Sequence, residues 1–189
     1  MSRLSDIALI AQVVATGSHR AFGQLVEAHQ EAVRRFLLRL TAGDGMLADD
    51  LAQETFIHAW QGLKSFRAAS NFQTWLLRIA YRVFLDEKRK EREAHPQSLP
   101  GEGSSDWASP SLVTPPQGGE GGGLLSHDLD RALATLSEVE RTCVILQCVE
   151  GQSIKDIAAI TGLNENTIKS HLLRGKKTMA TYLRRNGYG

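Results

Sequence analysis

Apolar positions along the first ninety residues recur at spacings of three and four. Leu4, Ile7, Ala8, Ala11 and Val14 form one stripe. Phe22, Leu25, Val26, Val33, Phe36, Leu37 and Leu40 form a second, behind a candidate N-cap at Ser18. Gly43-Asp44-Gly45 interrupts the pattern. Leu47, Leu51, Phe56, Ala59, Trp60 and Leu63 make a third stripe. Ser70 or Asn71 then opens a fourth helix, which turns Trp75, Leu76, Ile79, Ala80 and Val83 inward. No strand-like alternation of useful length occurs. The spacing predicts an all-α chain.

Residues 94–125 break the periodicity. They carry all five prolines, seven glycines and five serines, 17 of 32 residues from three loop-forming types. Such a segment buries too little apolar surface to offset its ordering entropy. It reads as a flexible linker between two small helical domains, 1–93 and 126–189. In the second, Ser137 and Glu140 form a capping box whose helix ends at Gly151. Ser153 and Asp156 open a short helix ending near Gly162, and Asn164 caps a longer one. Short helix, tight glycine turn and longer helix are the grammar of a helix-turn-helix.

Composition narrows the class. The chain has 189 residues, 42% hydrophobic and 23% charged, with two cysteines. No apolar run approaches the roughly 18 residues of a membrane helix, so no membrane insertion is expected. Two cysteines make no disulfide scaffold, and Asp6 and Gln12 argue against a signal segment over Ile7–Ala15; the expected location is cytoplasmic. Cys143 and Cys148 read as core thiols. The chain lacks a phosphate-binding G-x-x-x-x-G-K loop, a G-x-S-x-G elbow and an H-E-x-x-H motif. No enzyme activity, metal or cofactor is expected.

Charge is uneven. Residues 164–189 hold six basic side chains against Glu165, net +5, while the linker holds three acids and no Lys or Arg. In the last helix Ile168, Leu172, Gly175, Met179 and Leu183 form the inward stripe. Asn166, Ser170 and Lys177 lie opposite it, with Thr167 and Arg174 flanking. Short polar residues near the N-terminus suit base edges in the major groove, and the later Lys and Arg suit phosphates.

Two further clusters stay open to several readings. Asp50, Gln53 and Glu54 crowd the start of the third helix, where acids favour the helix dipole. They also suit a docking surface for a basic protein; no His or Cys sits at ligand spacing to make a metal site. Phe66, Phe72, Trp75, Tyr81 and Phe84 are interleaved with Arg67, Arg78 and Arg82. Rings plus cations are what splayed bases need, although some of the rings, Trp75 and Phe84 first, belong to the core.

Together these segments resemble a bacterial RNA polymerase sigma factor of the extracytoplasmic-function class. The stretch from Asp50 to Leu63 resembles that family's core-binding motif. Phe72–Ala80 followed by Asp86 resembles its segment for the minus-ten promoter element. Ser153–Ala158 with Thr167–Ser170 resembles its helix-turn-helix for the minus-thirty-five element. The resemblance implies a non-enzymatic initiation factor with core RNA polymerase, duplex and melted promoter DNA, and an anti-sigma factor as partners. It implies polymerase contacts at Asp50, Gln53, Glu54, Phe56 and Ile57. It implies minus-ten contacts at Arg67, Asn71, Phe72, Trp75, Arg78, Tyr81 and Arg82, and minus-thirty-five contacts at Asn166, Thr167, Lys169, Ser170, Arg174 and Lys177. Many relatives have Asn at the position of Arg82, Arg at that of His171 and Ala at that of Gly175. The alternative is a helix-turn-helix regulator with an N-terminal sensing domain. It explains residues 126–189 but neither the core-binding-like motif nor the Arg-interleaved rings. As a coil, the linker spans roughly 30–35 Å; fully extended it reaches at most about 105–115 Å.

Overall fold

Most helix starts in the chain are fixed by a side chain that accepts a hydrogen bond from an otherwise free amide. The computed structural model describes residues 3–67, 70–94 and 124–188. Helix α1 is Arg3–Thr16 and α2 is His19–Leu40, the latter capped by Ser18. Asp44, inside the glycine break, caps α3, Gly45–Gly62. A 3-10 turn, Leu63–Ser65, leads towards α4, Phe72–Ala94, where the Asn71 side chain accepts from the Gln73 amide at 3.2 Å. The segment read as a linker lies, from residue 95 to 123, outside the described residues. Helix α5, Leu124–Ala134, begins before the boundary that the proline- and glycine-rich composition suggests. The Ser137–Glu140 capping box starts α6, Glu138–Val144, which runs into a π turn, Ile145–Val149. Ser153 caps α7, Ile154–Thr161, and Asn164 caps α8, Glu165–Arg185; Gly162 between them takes the left-handed conformation (φ 77°) that the sharp turn needs.

The first unit packs α1 to α4 around Leu25, Val33, Phe36, Leu37, Leu76, Leu77 and Phe84, all almost fully buried. Each such side chain contributes about 1.5–3 kcal/mol through removal from water. Helix α1 corrects the expected stripe. Leu4, Ile7 and Val14 are 79%, 38% and 43% exposed, whereas Ile10 and Val13 are buried. The run Ile7–Ala15 is apolar nearly all round, so spacing alone does not select a face. The inward face also carries Asp6, which lies 3.3 Å from the buried Nε2 of His29 on α2.

The second unit is tied together by a residue that no local pattern announces. Arg141 is buried, and its guanidinium donates to the carbonyls of Leu133, Ala134 and Leu136 at 3.0–3.4 Å. It satisfies the carbonyls that the end of α5 leaves free. Gly175 lets α8 approach α6: a Cβ there would stand 2.9 Å from Val144 Cγ2.

The two units share an interface. Helix α7 lies against α4, and α6 and the π turn lie against α2. Glu150 follows the π turn, with its amide bonded to the Ile145 carbonyl, and points into the seam. Its side chain is fully buried and receives Arg35 Nε and Nη2 at 3.0 and 3.1 Å. Thr74 donates to Gln152 at 2.8 Å, and Arg39 lies 3.5 Å from Asp130. Tyr81 of α4 is buried beside Thr142, and that burial, with Glu138 nearby, pushes its phenol above the ordinary range.

Candidate nucleic-acid interface

Three surfaces collect the residues singled out by sequence. The first is the outward face of α3. Asp50 and Gln53 are exposed, Glu54 is half-buried with His58 at 3.6 Å, and Ile57 is 56% exposed. The neighbouring Asp49 is engaged elsewhere, held by Arg34 at 2.6 Å. Phe56 turns partly into the core. Met46, one turn before Asp50, is 83% exposed and extends the same face. Sequence reading missed Met46; the signal was a large apolar residue four positions before an acid of the cluster. The result is an acidic stripe interleaved with exposed apolar side chains, suited to a partner that is both basic and apolar.

The second surface is a cleft between the 3-10 turn and α4, with a cavity of about 350 Å³. Phe66 and Trp75 wall it, and Arg67, Arg78 and Arg82 reach its rim. The rings are locked in place: Phe66 meets Phe72 and Trp75 edge-on, each at 5.5 Å between centroids, and Phe72 stacks on Trp75 at 5.6 Å. His29 abuts Phe72 from behind at 5.2 Å. Phe72 itself is 3% exposed, so it supports the wall and does not face the cleft. Tyr81 is not in the cleft either; it lies on the α4 face covered by the second unit. Asn71 is exposed and engaged as the helix cap. Among the described residues, Arg67, Arg78 and Arg82 have no hydrogen-bond or ion-pair partner. By contrast, Lys88, Arg89 and Lys90 further along α4 pair with Glu91, Asp86 and Glu87 at 2.8–3.1 Å.

The third surface is α8. Asn166, Lys169, Ser170 and Lys177 are exposed, and Thr167 is half-buried. Leu173, 73% exposed, completes the outward stripe. Arg174 stands beside that stripe and is tied to Glu140 at 3.1 Å and to His171 at 3.0 Å. It is thereby braced against α6.

Comparison with known proteins gives the family. Family models described as Sigma-70 region 2 and Sigma-70 region 4 match residues 25–94 and 126–179. The ECF RNA polymerase sigma factor SigM of Mycobacterium tuberculosis is 33% identical over 95% of this chain and 85% of its own. SigE of Mycolicibacterium smegmatis is 32% identical over 89% of this chain, which spans 65% of that relative's length. Among solved structures, the sigma factor RpoE of Bartonella quintana, in complex with the anti-sigma factor NepR, has a TM-score of 0.67 and 28% identity. That likeness covers 86% of this chain and 96% of the other. The chain belongs to the extracytoplasmic-function RNA polymerase sigma factors, and its function is promoter-directed transcription initiation.

Proposed function

We propose that α3 docks on core RNA polymerase through Asp50, Gln53, Glu54 and Ile57, extended by Met46. The cleft of Phe66, Trp75, Arg67, Arg78 and Arg82 takes melted bases of the minus-ten element. Helix α8 reads the minus-thirty-five duplex with Asn166, Ser170 and Lys177, while Thr167, Lys169 and Arg174 hold the flanking backbone. On this reading the chain does no chemistry of its own. It works in the cytoplasm, lends the polymerase its sequence preference and is restrained by an anti-sigma partner. Among the described residues no helix is long and apolar enough to cross a membrane.

One observation supports this over an ordinary regulator: Met46 and Ile57 are 83% and 56% exposed within an acidic stripe. Neither DNA reading nor effector sensing needs them. Docking on a polymerase does.

The docked arrangement adds a step. A body of about 155 residues is roughly 40 Å across. Two promoter elements two helical turns apart need about 70 Å. Engaging both therefore requires the Arg35–Glu150 seam to open, and the polymerase, holding each unit, supplies the competing contacts. The test is copurification with core polymerase, followed by transcription from a pool of genomic fragments with mapped start sites. Asp50→Lys with Glu54→Lys should abolish both copurification and specific starts. Unchanged core binding and start-site choice would defeat the assignment of α3.

A further inference from the structure

The outward side of α1 is bare. Leu4, Ile7, Ala8, Ala11 and Val14 all face solvent, and Leu4 is 79% exposed. From Leu4 to Gly17 the chain carries one ionisable side chain, Asp6, which is turned inward and buried. The stripe runs into a groove at the C-terminal end of the helix. Val14, Gly17, Trp60 and Leu63 line it, with the exposed Gln61 and Lys64 beside them, around a cavity of about 350 Å³. The groove is preformed: His19 stacks on Trp60 at 4.7 Å, and Phe22 braces the same ring edge-on at 5.0 Å.

We infer that this face pairs with the same face of a second copy of the chain, the two α1 helices running antiparallel. Charge favours a second copy. A face without ions offers an acidic or basic partner nothing to hold along its length, whereas its own copy meets it without repulsion. It also lacks the flanking lysines and arginines by which a surface helix holds to lipid. Fit favours the antiparallel arrangement. With a two-fold axis midway between Ala8 and Ala11, Leu4 of one copy falls opposite Ala15 of the other, at the mouth of its groove. Ile7 falls opposite Ala11 and Gln12. The large side chain at one end meets the hole at the other, and the symmetry repeats the match. A parallel pair would set Leu4 on Leu4 and leave both grooves empty. The size of the face sets the strength. It is about 20 Å long. With the groove it covers roughly 400 Å² per copy, well short of the roughly 800 Å² that a standard interface takes from each partner. The pair is therefore weak and depends on concentration; it needs neither polymerase nor DNA.

The test is sedimentation equilibrium of the full chain. The mean mass should climb from one chain towards two between about 10 µM and about 1 mM, the range open to an interface of this size. Leu4→Asp and Val14→Asp, both at exposed sites, should hold the chain monomeric throughout with unchanged helicity. A charge swap between two chains reads the orientation. Leu4→Lys places its cation beside Lys64 of the other copy, so this variant should not pair with itself. Labelled with a fluorophore at the exposed Cys148, it should pair with an excess of Lys64→Glu chain at several-fold lower concentration than with the unsubstituted chain. A native chain that stays monomeric up to about 1 mM overturns the inference. So does pairing that Leu4→Asp leaves intact, or a charge swap without effect. A monomeric chain that binds phosphatidylglycerol vesicles through Leu4 would make the face a membrane contact. A monomeric chain whose Leu4→Asp variant loses core polymerase would make it part of the polymerase docking surface. Either result would also overturn the inference.

Discussion

Arg35 and Glu150 stand 115 positions apart and meet through two parallel hydrogen bonds of 3.0 and 3.1 Å, with the carboxylate fully buried in the seam between the units. Gln73 adds a longer contact at 3.5 Å. A carboxylate in that position is tolerable only while its partner is present. The contact also holds Arg35 above its ordinary basicity, chiefly through the hydrogen bonds to Glu150, against the opposing effect of burial.

Arg35→Ala should therefore part the units without unfolding either. The stranded carboxylate costs on the order of 2 kcal/mol, reduced because Arg35 is partly exposed, and separation relieves it by returning Glu150 to water. The expected result is a larger radius of gyration by small-angle scattering with unchanged helicity. Arg35→Lys should behave in the same direction, because an ammonium cannot form the fork. An unchanged radius in both variants would show that the apolar contacts of α4 and α7 hold the seam alone.

Gly175→Ala sets two magnitudes against each other. Alanine improves the helix by about 1 kcal/mol. Its Cβ, however, would lie 2.9 Å from Val144 Cγ2 on the facing helix, and Val144 is buried and branched. Overpacking of this kind costs about 1–3 kcal/mol. The net expectation is destabilisation by about 1 kcal/mol, read as a lower midpoint in urea. Val144→Ala in the same chain should convert the substitution to a stabilising one.

Local rules made much of the fold legible. Ser18, Ser137, Ser153 and Asn164 cap their helices because capping depends only on residues two or three positions on. The cleft was legible only in part: the interleaving of rings and arginines marks Arg67, Arg78 and Arg82, but the spacing turns Trp75 inward, and the fold puts that ring in the cleft wall. What escaped was non-local. Nothing near Arg141 marks it as the cap of a preceding helix, and nothing near Glu150 marks it as the partner of Arg35. For Phe72 and Tyr81 the sequence leaves two readings open, because an aromatic suits a core and a stacked base equally. Only the fold separates them, placing Phe72 behind the wall and Tyr81 in the seam.

The tie between α6 and α8 should weaken in acid. Burial pushes the Glu140 carboxyl up, but hydrogen bonds from Ser137 and Arg174, with Arg174's charge, outweigh it and hold the group below its usual value near 4.5. A group lowered in the folded state contributes stability above its unfolded value, and that stability is lost as pH falls through the folded one. Melting temperature should thus drop below about pH 4.5 in part through Glu140. Arg174→Ala removes one lowering contact, so the Glu140 resonance should titrate at higher pH. A titration indifferent to Arg174→Ala would mean that Ser137 alone sets the value.

The two cysteines should differ in reactivity, and that difference reports on the seam. Burial, with Glu140's charge adding to it, pushes the Cys143 thiol up to about 11, whereas Cys148 is exposed on the π turn. At about pH 8 only about one Cys143 in a thousand is thiolate, and the thiolate is what an alkylating reagent attacks. Iodoacetamide should therefore label the native chain once, at Cys148, with Cys143 reacting only in denaturant. Cys143 also lies beside Tyr81, close enough for its charge to act on the phenol. Parting the units removes α4 from that side, so Arg35→Ala should speed labelling of Cys143 and leave Cys148 unchanged, as peptide mass spectrometry would report. If Cys143 stayed inert in a variant whose radius had grown, the second unit's own core would be its cover.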